Sequence, residues 1–229
     1  MRFLLIFPTI FEAAPFFKLA GAGKPHLGGR ASLKIKGAEF FGLVSGYGSE
    51  GALARLSECA DSCKPDFAIL CGFCGACSPR LNEGDFVYES ACEKLGASLE
   101  AVGAVFARIA CEASVAGTER KRALAEAGFD AVDMESGIFK KLFKPGKFAS
   151  FRAVSDSANS KIPAEFFDAM IDKKTGANSL FNLELLRVFN PFKNPLLVPR
   201  LLLFALSASK VSKKYSQKMG KLLEILAKI

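Results

Sequence analysis

Tryptophan is absent from the 229 residues, and histidine occurs once, as His26. A mechanism centred on a histidine base is therefore poorly supported. No complete phosphate loop is present: the segment GAGKPH from Gly21 has a Gly-Lys pair but lacks the spacing and the following Ser or Thr, so it reads as a turn. No small-x-small cleavage site follows the apolar run FLLIFPTIF, and Glu12 comes at once. That run is read as a first buried strand, Phe3 to Phe7, broken by Pro8, and not as a leader. Seven cysteines, an odd number without a leader, point to a reducing cytoplasm and away from a disulfide framework. Internal repeats and low-complexity segments are also missing.

What is present is ordinary for a soluble globular chain: half of the residues are apolar and 24% are charged. The length suits one sizeable core. The stretch DAVDMESGIFKKLFKPGKFASFRAVSDSAN, Asp130 to Asn159, organises the rest. AVDM leads into Glu135, and FASFRAVS leads into Asp156. Each reads as a buried strand delivering an acid at its carboxyl end, where open α/β sheets bind ligands. Two such acids can divide a glycosidic cleavage, one holding sugar hydroxyls and one protonating the leaving group. From spacing alone, helix caps or salt bridges are the more ordinary roles for the same acids. Between them, IFKKLF predicts a short helix ended by Pro145-Gly146.

VDMES followed by RAVSDSAN resembles the paired signature of the nucleoside phosphorylase and nucleosidase superfamily, above all the methylthioadenosine/adenosylhomocysteine nucleosidases and the hopanoid-associated nucleosidases. The resemblance covers about residues 1–170. It implies an α/β fold of three layers, a central mixed sheet flanked by helices, with a catalytic domain over 1–180. It also implies a purine nucleoside substrate, adenine being the expected base, and a homo-oligomer without cofactor or metal. On that likeness Glu135 binds the ribose hydroxyls, Met134 packs on the sugar, Asp156 protonates the purine, and Ser155 beside it counts among the substrate-binding residues. Glu12 occupies the place of the acid that positions the attacking water, although the first turn of a helix also favours an acid there. Gly72 and Phe73 fall in the glycine-rich segment that approaches the sugar. The base-stacking aromatic of the family would lie near Cys111-Glu112, which offers none; Phe106 or Phe73 are the substitutes. A phosphorylase, with Arg80 as the cation, and a non-catalytic nucleoside-binding protein are the alternatives.

Several stretches are read on their own terms. Residues 18–36 predict a loop or short hairpin, Phe40 to Gly48 a strand entering a glycine turn, and Asp66 to Leu70 a strand before a turn. Cys71, Cys74 and Cys77 form a CxxCxxC, but no second CxxC supplies a fourth ligand. They are taken as small residues lining that turn. From Leu95 a strand or two is expected, then a helix from Thr118 as N-cap to Gly128, and a Pro-started helix in KIPAEFFDAM. The tail differs in charge. From Arg187 to Ile229 there are nine Lys or Arg against one acid, Glu224, a net of +8 that equals the charge of the whole chain. A basic helical extension over 181–229 is expected. It either packs on the domain or a partner subunit, or lies on an anionic membrane with Leu222, Leu223, Ile225 and Leu226 inserted. The run LLVPRLLLFALSA is too short to span a bilayer and is interrupted by Pro199 and Arg200. Nothing in the tail suggests nucleic acid.

Overall fold

A computed structural model describes residues 1–160, 164–169, 171–172, 174–177 and 197–229. A central mixed sheet has the order β2 (Arg30–Ile35), β3 (Ala38–Val44), β1 (Arg2–Phe7), β4 (Phe67–Ala76), β9 (Phe148–Asp156), β5 (Phe86–Ser90) and β6 (Val105–Phe106), with β8 (Ala131–Asp133) on the end of β4 and β7 (Ile109–Cys111) beside β8. β1 lies between β3 and β4, parallel to both. Its residues from Phe3 to Phe7 are buried, which is why the strand reads as an unbroken apolar run and not as an alternation. β9 runs parallel to β4 on one side and antiparallel to β5 on the other. β6, β7 and β8 are short.

The hairpin lies further along than the 18–36 reading placed it. β2 pairs antiparallel with β3, and Lys36 and Gly37, both with positive φ, make the two-residue turn. Residues from Glu93 to Val102 form helix α3, where a strand was expected. The buried positions Leu95, Leu99 and Val102 recur at helical spacing, and Gly103 ends the helix with φ 94°. β4 also continues through Cys71–Ala76 instead of turning after Leu70.

Helix α1 (Ile10–Leu19) opens with a capping box between Thr9 and Glu12. Helix α2 (Glu50–Cys63) is capped by Ser49 and buries Ala52, Leu56, Cys59 and Cys63 along one stripe. Helix α4 (Thr118–Glu126) has Gly117 at its N-cap; the Thr118 hydroxyl donates to Ser160 O at 3.3 Å instead of capping. The predicted short helix appears as α5 (Ser136–Phe139) with a 3₁₀ turn over Lys140–Leu142. Helix α6 spans Ala164–Ala169; Pro163 before it lies outside the described residues.

Helix α7 (Leu197–Leu226) is continuous through Pro199 and Arg200, as a proline in a first turn permits. Arg187 to Leu196, the start of the basic tail, lies outside the described residues. Val211, Tyr215, Met219, Leu222 and Leu226 form a helical stripe in the main core, alongside Phe3, Phe16 and Phe151. Lys210, Lys213, Lys214, Lys221 and Lys228 face outward. Leu222, Leu223 and Leu226 are at most 1% exposed, so the shallow insertion expected of them is excluded by their packing. Among the described residues no helix is long and apolar enough to cross a membrane.

Candidate active site

A cavity of about 620 Å³ opens at the carboxyl ends of the parallel strands, and Glu12, Glu135 and Asp156 all line it. Met134, Phe73 and Ser155 are on its wall as well. Gly72 is not; it sits behind, with φ 147°, where a Cβ would collide with Glu12 Oε1 and come within 2.8 Å of Arg152 Nη1. Only glycine lets the acid and the guanidinium approach the backbone there. Six of the seven residues read from the sequence thus meet in one place.

Glu12 satisfies both readings made of it, as helix cap and as cavity acid. Its Oε2 accepts from Thr9 N at 2.8 Å and Thr9 Oγ1 at 2.6 Å, and its Oε1 accepts from Phe73 N at 2.8 Å. Burial raises its pKa, opposed by Arg152 and by these hydrogen bonds. Phe73 is itself backed by Tyr215 of α7, with ring centroids 5.3 Å apart. The Tyr215 hydroxyl is buried with no hydrogen-bond partner among the described residues.

Arg152 and Asp133 join the group without having been singled out in the sequence. Arg152 is fully buried on β9, and its Nε and Nη2 reach Asp133 Oδ2 at 3.0 and 2.7 Å. Nη2 also donates to Glu135 Oε2 at 2.7 Å, and Nη1 lies 3.9 Å from Glu12 Oε1. Asp133 Oδ1 fixes the start of α5, accepting from Ser136 N at 3.1 Å and Ser136 Oγ at 2.7 Å. A signal did exist: each is a charge inside an otherwise apolar strand, and a buried charge requires a partner.

Three carboxylates thus surround one guanidinium. Desolvation works against the charge of Arg152, but the acids hold its proton more firmly than usual. The excess negative charge falls on Glu135, whose pKa is pushed up to about 8, first by burial and then by Asp133 and Glu12 against the pull of Arg152. The folded protein therefore holds a proton there that an unfolded chain, at its ordinary value of 4.5, has released. Below that value both states are protonated and no penalty arises. Between it and about 8 the folded state binds more protons, so stability falls as pH rises. The thermal midpoint of the ligand-free protein is expected to decline across that window, and Glu135→Gln to flatten the decline. Parallel pH profiles for the two proteins would refute this assignment.

Asp156 stands at an irregularity in the ladder. Cys74 pairs with Val154 and Gly75 with Asp156, leaving Ser155 as the extra residue of a bulge. Ser155 Oγ lies 2.7 Å from Asp156 Oδ1 and 3.1 Å from Cys74 O. The other carboxylate oxygen, Oδ2, forms an ion pair with Lys121 of α4, which is 1% exposed. No feature of the sequence marked Lys121, the middle one of three consecutive basic residues in a helix that is otherwise largely exposed.

The cysteine cluster does not converge. Cys71 and Cys74, three apart on β4, point to opposite faces, and Cys71, Cys74 and Cys77 belong to three different apolar clusters. Burial raises the pKa of each thiol, away from the thiolate that a metal needs. Phe106 is 49% exposed and off the cavity, whereas Phe73 is on its wall. Arg80 is also elsewhere, paired with Asp130 at 3.0 Å.

No protein-family model and no curated protein matches the sequence. Solved structures do match. The methylthioadenosine/S-adenosylhomocysteine nucleosidase of Campylobacter jejuni superposes with a TM-score of 0.66 at 15% identity, over 98% of this chain and 99% of that one. The futalosine hydrolase of Helicobacter pylori gives 0.65 at 15% identity, over 98% and 97%. The S. pneumoniae methylthioadenosine/S-adenosylhomocysteine nucleosidase, solved with a transition-state inhibitor, gives 0.64 at 17% identity, over 99% and 100%. The chain has the nucleoside phosphorylase/nucleosidase fold. The three-layer architecture expected from the two motifs is thereby established, with α7 as its C-terminal helix.

Proposed function

We propose that the protein hydrolyses the N-glycosidic bond of a purine nucleoside, adenine being the base that the resemblance implies. The observation that carries this reading is the meeting of buried Glu12, Glu135 and Asp156 in one cavity of a size that suits a nucleoside. Asp156 delivers a proton to the five-membered ring of the purine as the bond from C1′ to N9 breaks and its electron pair leaves with the base. Glu135 and Met134 hold the ribose, and hydrogen bonds to Glu135 gain strength as positive charge develops on the sugar. Glu12 orients the water that attacks C1′ and takes up its proton. Two acceptor positions on Oε2 are used by Thr9, but Oε1 has one hydrogen bond, from Phe73, and one position to spare. A raised pKa brings this base nearer its operating pH.

Water, not phosphate, is the nucleophile that suits these surroundings. Four acids, Glu12, Asp133, Glu135 and Asp156, face two cations, Arg152 and Lys121, and both cations are already paired. A phosphate dianion would find no unpaired cation among the described residues that line the cavity. A panel of nucleosides assayed in phosphate-free buffer is expected to yield free base and free sugar. Strict dependence on phosphate, with a sugar 1-phosphate product, would hand the site to a phosphorylase.

Phe11, Phe167, Ile171 and Val211 give the cavity an apolar side, and we assign it to the 5′ substituent, a lipid-linked nucleoside being the extreme of that class. The exposed lysines of α7 would then supply contact with an anionic membrane, each contributing about 1 kcal/mol. Charge reversal at Lys210, Lys213 and Lys214 is expected to abolish binding to anionic liposomes at low salt while base release from a soluble nucleoside persists. Intact protein that ignores such liposomes would remove the membrane from the picture. The seven free cysteines support a cytoplasmic location. Exposed Ile10 and Phe11, the latter at the cavity, support a homo-oligomer.

A further inference from the structure

Lys121 has no part in the reading above, yet it is among the most deeply buried charges in the molecule and lines the cavity. Its ammonium contacts Asp156 Oδ2 and donates to Ser157 O at 3.0 Å. An ammonium has three N–H donors and no lone pair, so one donor is left without a partner among the described residues. Gly75 leaves room for the pair: a Cβ there would lie 3.0 Å from Lys121 Cε and 3.1 Å from Asp156 Oδ2. Lysine and aspartate are thus pressed together against bare backbone, at the place where the base must receive its proton.

We propose that Lys121 selects the base: paired with Asp156, it favours a purine bearing a 6-carbonyl over one bearing a 6-amino group. This rests on the nucleosidase reading and revises its expected base. A 6-oxopurine presents two acceptors side by side, N7 and O6: Asp156 serves N7, and the one remaining N–H of Lys121 donates to O6. Adenine presents an acceptor and a donor, N7 and the 6-amino group, an edge matched by the amide of Asn or Gln. An ammonium facing the 6-amino group sets donor against donor in a buried place, where unmet hydrogen bonds are most costly. The pair also supplies the proton. As C1′–N9 breaks, Asp156 takes a proton from the Lys121 ammonium and passes it to N7; the attacking water leaves its proton on Glu12, and return of that proton to the lysine resets the site. Base and sugar leave neutral, and one water is consumed.

Purified full-length protein would be assayed for base release from inosine and adenosine and, independently of turnover, for binding of hypoxanthine and adenine by calorimetry. Wild type is expected to favour the 6-oxo member of each pair, by on the order of 10–100-fold. Lys121→Gln, whose amide offers one donor and one acceptor, should level or reverse the ratio, and Lys121→Arg should preserve it. Ratios within one protein are insensitive to a general loss of folding. The proposal is overturned if wild type favours adenine, if neither base binds, or if Lys121→Gln leaves the ratio unchanged. Preferential binding of hypoxanthine without release of base from any nucleoside would instead sink the hydrolase reading and leave this one standing.

Discussion

Asp156→Asn is expected to lower kcat for base release by about 10²–10⁴-fold, the usual worth of a positioned acid. The replacement has nearly the same shape. Its amide can still meet Ser155 Oγ, 2.7 Å away in the native protein, and present an oxygen to Lys121. What it cannot do is take a proton from the lysine and pass it to N7. The leaving base then departs as an anion or waits for solvent to protonate it, and the cavity wall there is buried. The amide leaves the buried Lys121 ammonium without its counter-charge, so the thermal midpoint is expected to fall as well, and the rates are compared below the midpoint of both proteins. Equal turnover by mutant and wild type on purine nucleosides would end the mechanism.

Glu12→Gln should be as damaging, for a reason legible in its partners. Both carboxylate oxygens face donors: Thr9 N and Oγ1 on one side, Phe73 N on the other. Whichever way the amide turns, its NH₂ meets a donor, at a cost of about 1–3 kcal/mol. It has also lost the basicity that accepts a proton from water, worth about 10²–10⁴-fold. The two effects separate by measurement: the first lowers the thermal midpoint, and the second lowers kcat while nucleoside binding persists. A Glu12→Gln protein that hydrolyses at the native rate would leave this acid as a helix cap and nothing more.

The elements that were legible beforehand are those whose apolar runs outvote local detail. β1 and β9 are buried almost throughout, so their sequences could be read only as central strands. The acids at the ends of AVDM and FASFRAVS followed from that. Legibility failed where two periods compete. Leu95, Leu99 and Val102 alternate with small and polar residues that suit a strand nearly as well as a helix. In β4 the glycines suggested a turn, but they are there because Glu12, Arg152, Lys121 and Asp156 crowd the strand. Lys121 was beyond reach, since its partner lies 35 positions away and only the packing of α4 brings them together.

The position of α7 has a consequence for the order in which the protein comes into being. All the acids of the site, from Glu12 to Asp156, precede it in the chain, and a ribosome has made them before the helix exists. Yet Tyr215, Met219, Leu222 and Leu226 fill the main core, and Tyr215 backs Phe73, whose N–H holds Glu12. A nascent chain that has reached Asn159 thus contains all three cavity acids but not Val211 and Ser212, which complete the wall from α7. Translation order alone therefore places the completion of the cavity after the synthesis of its acids.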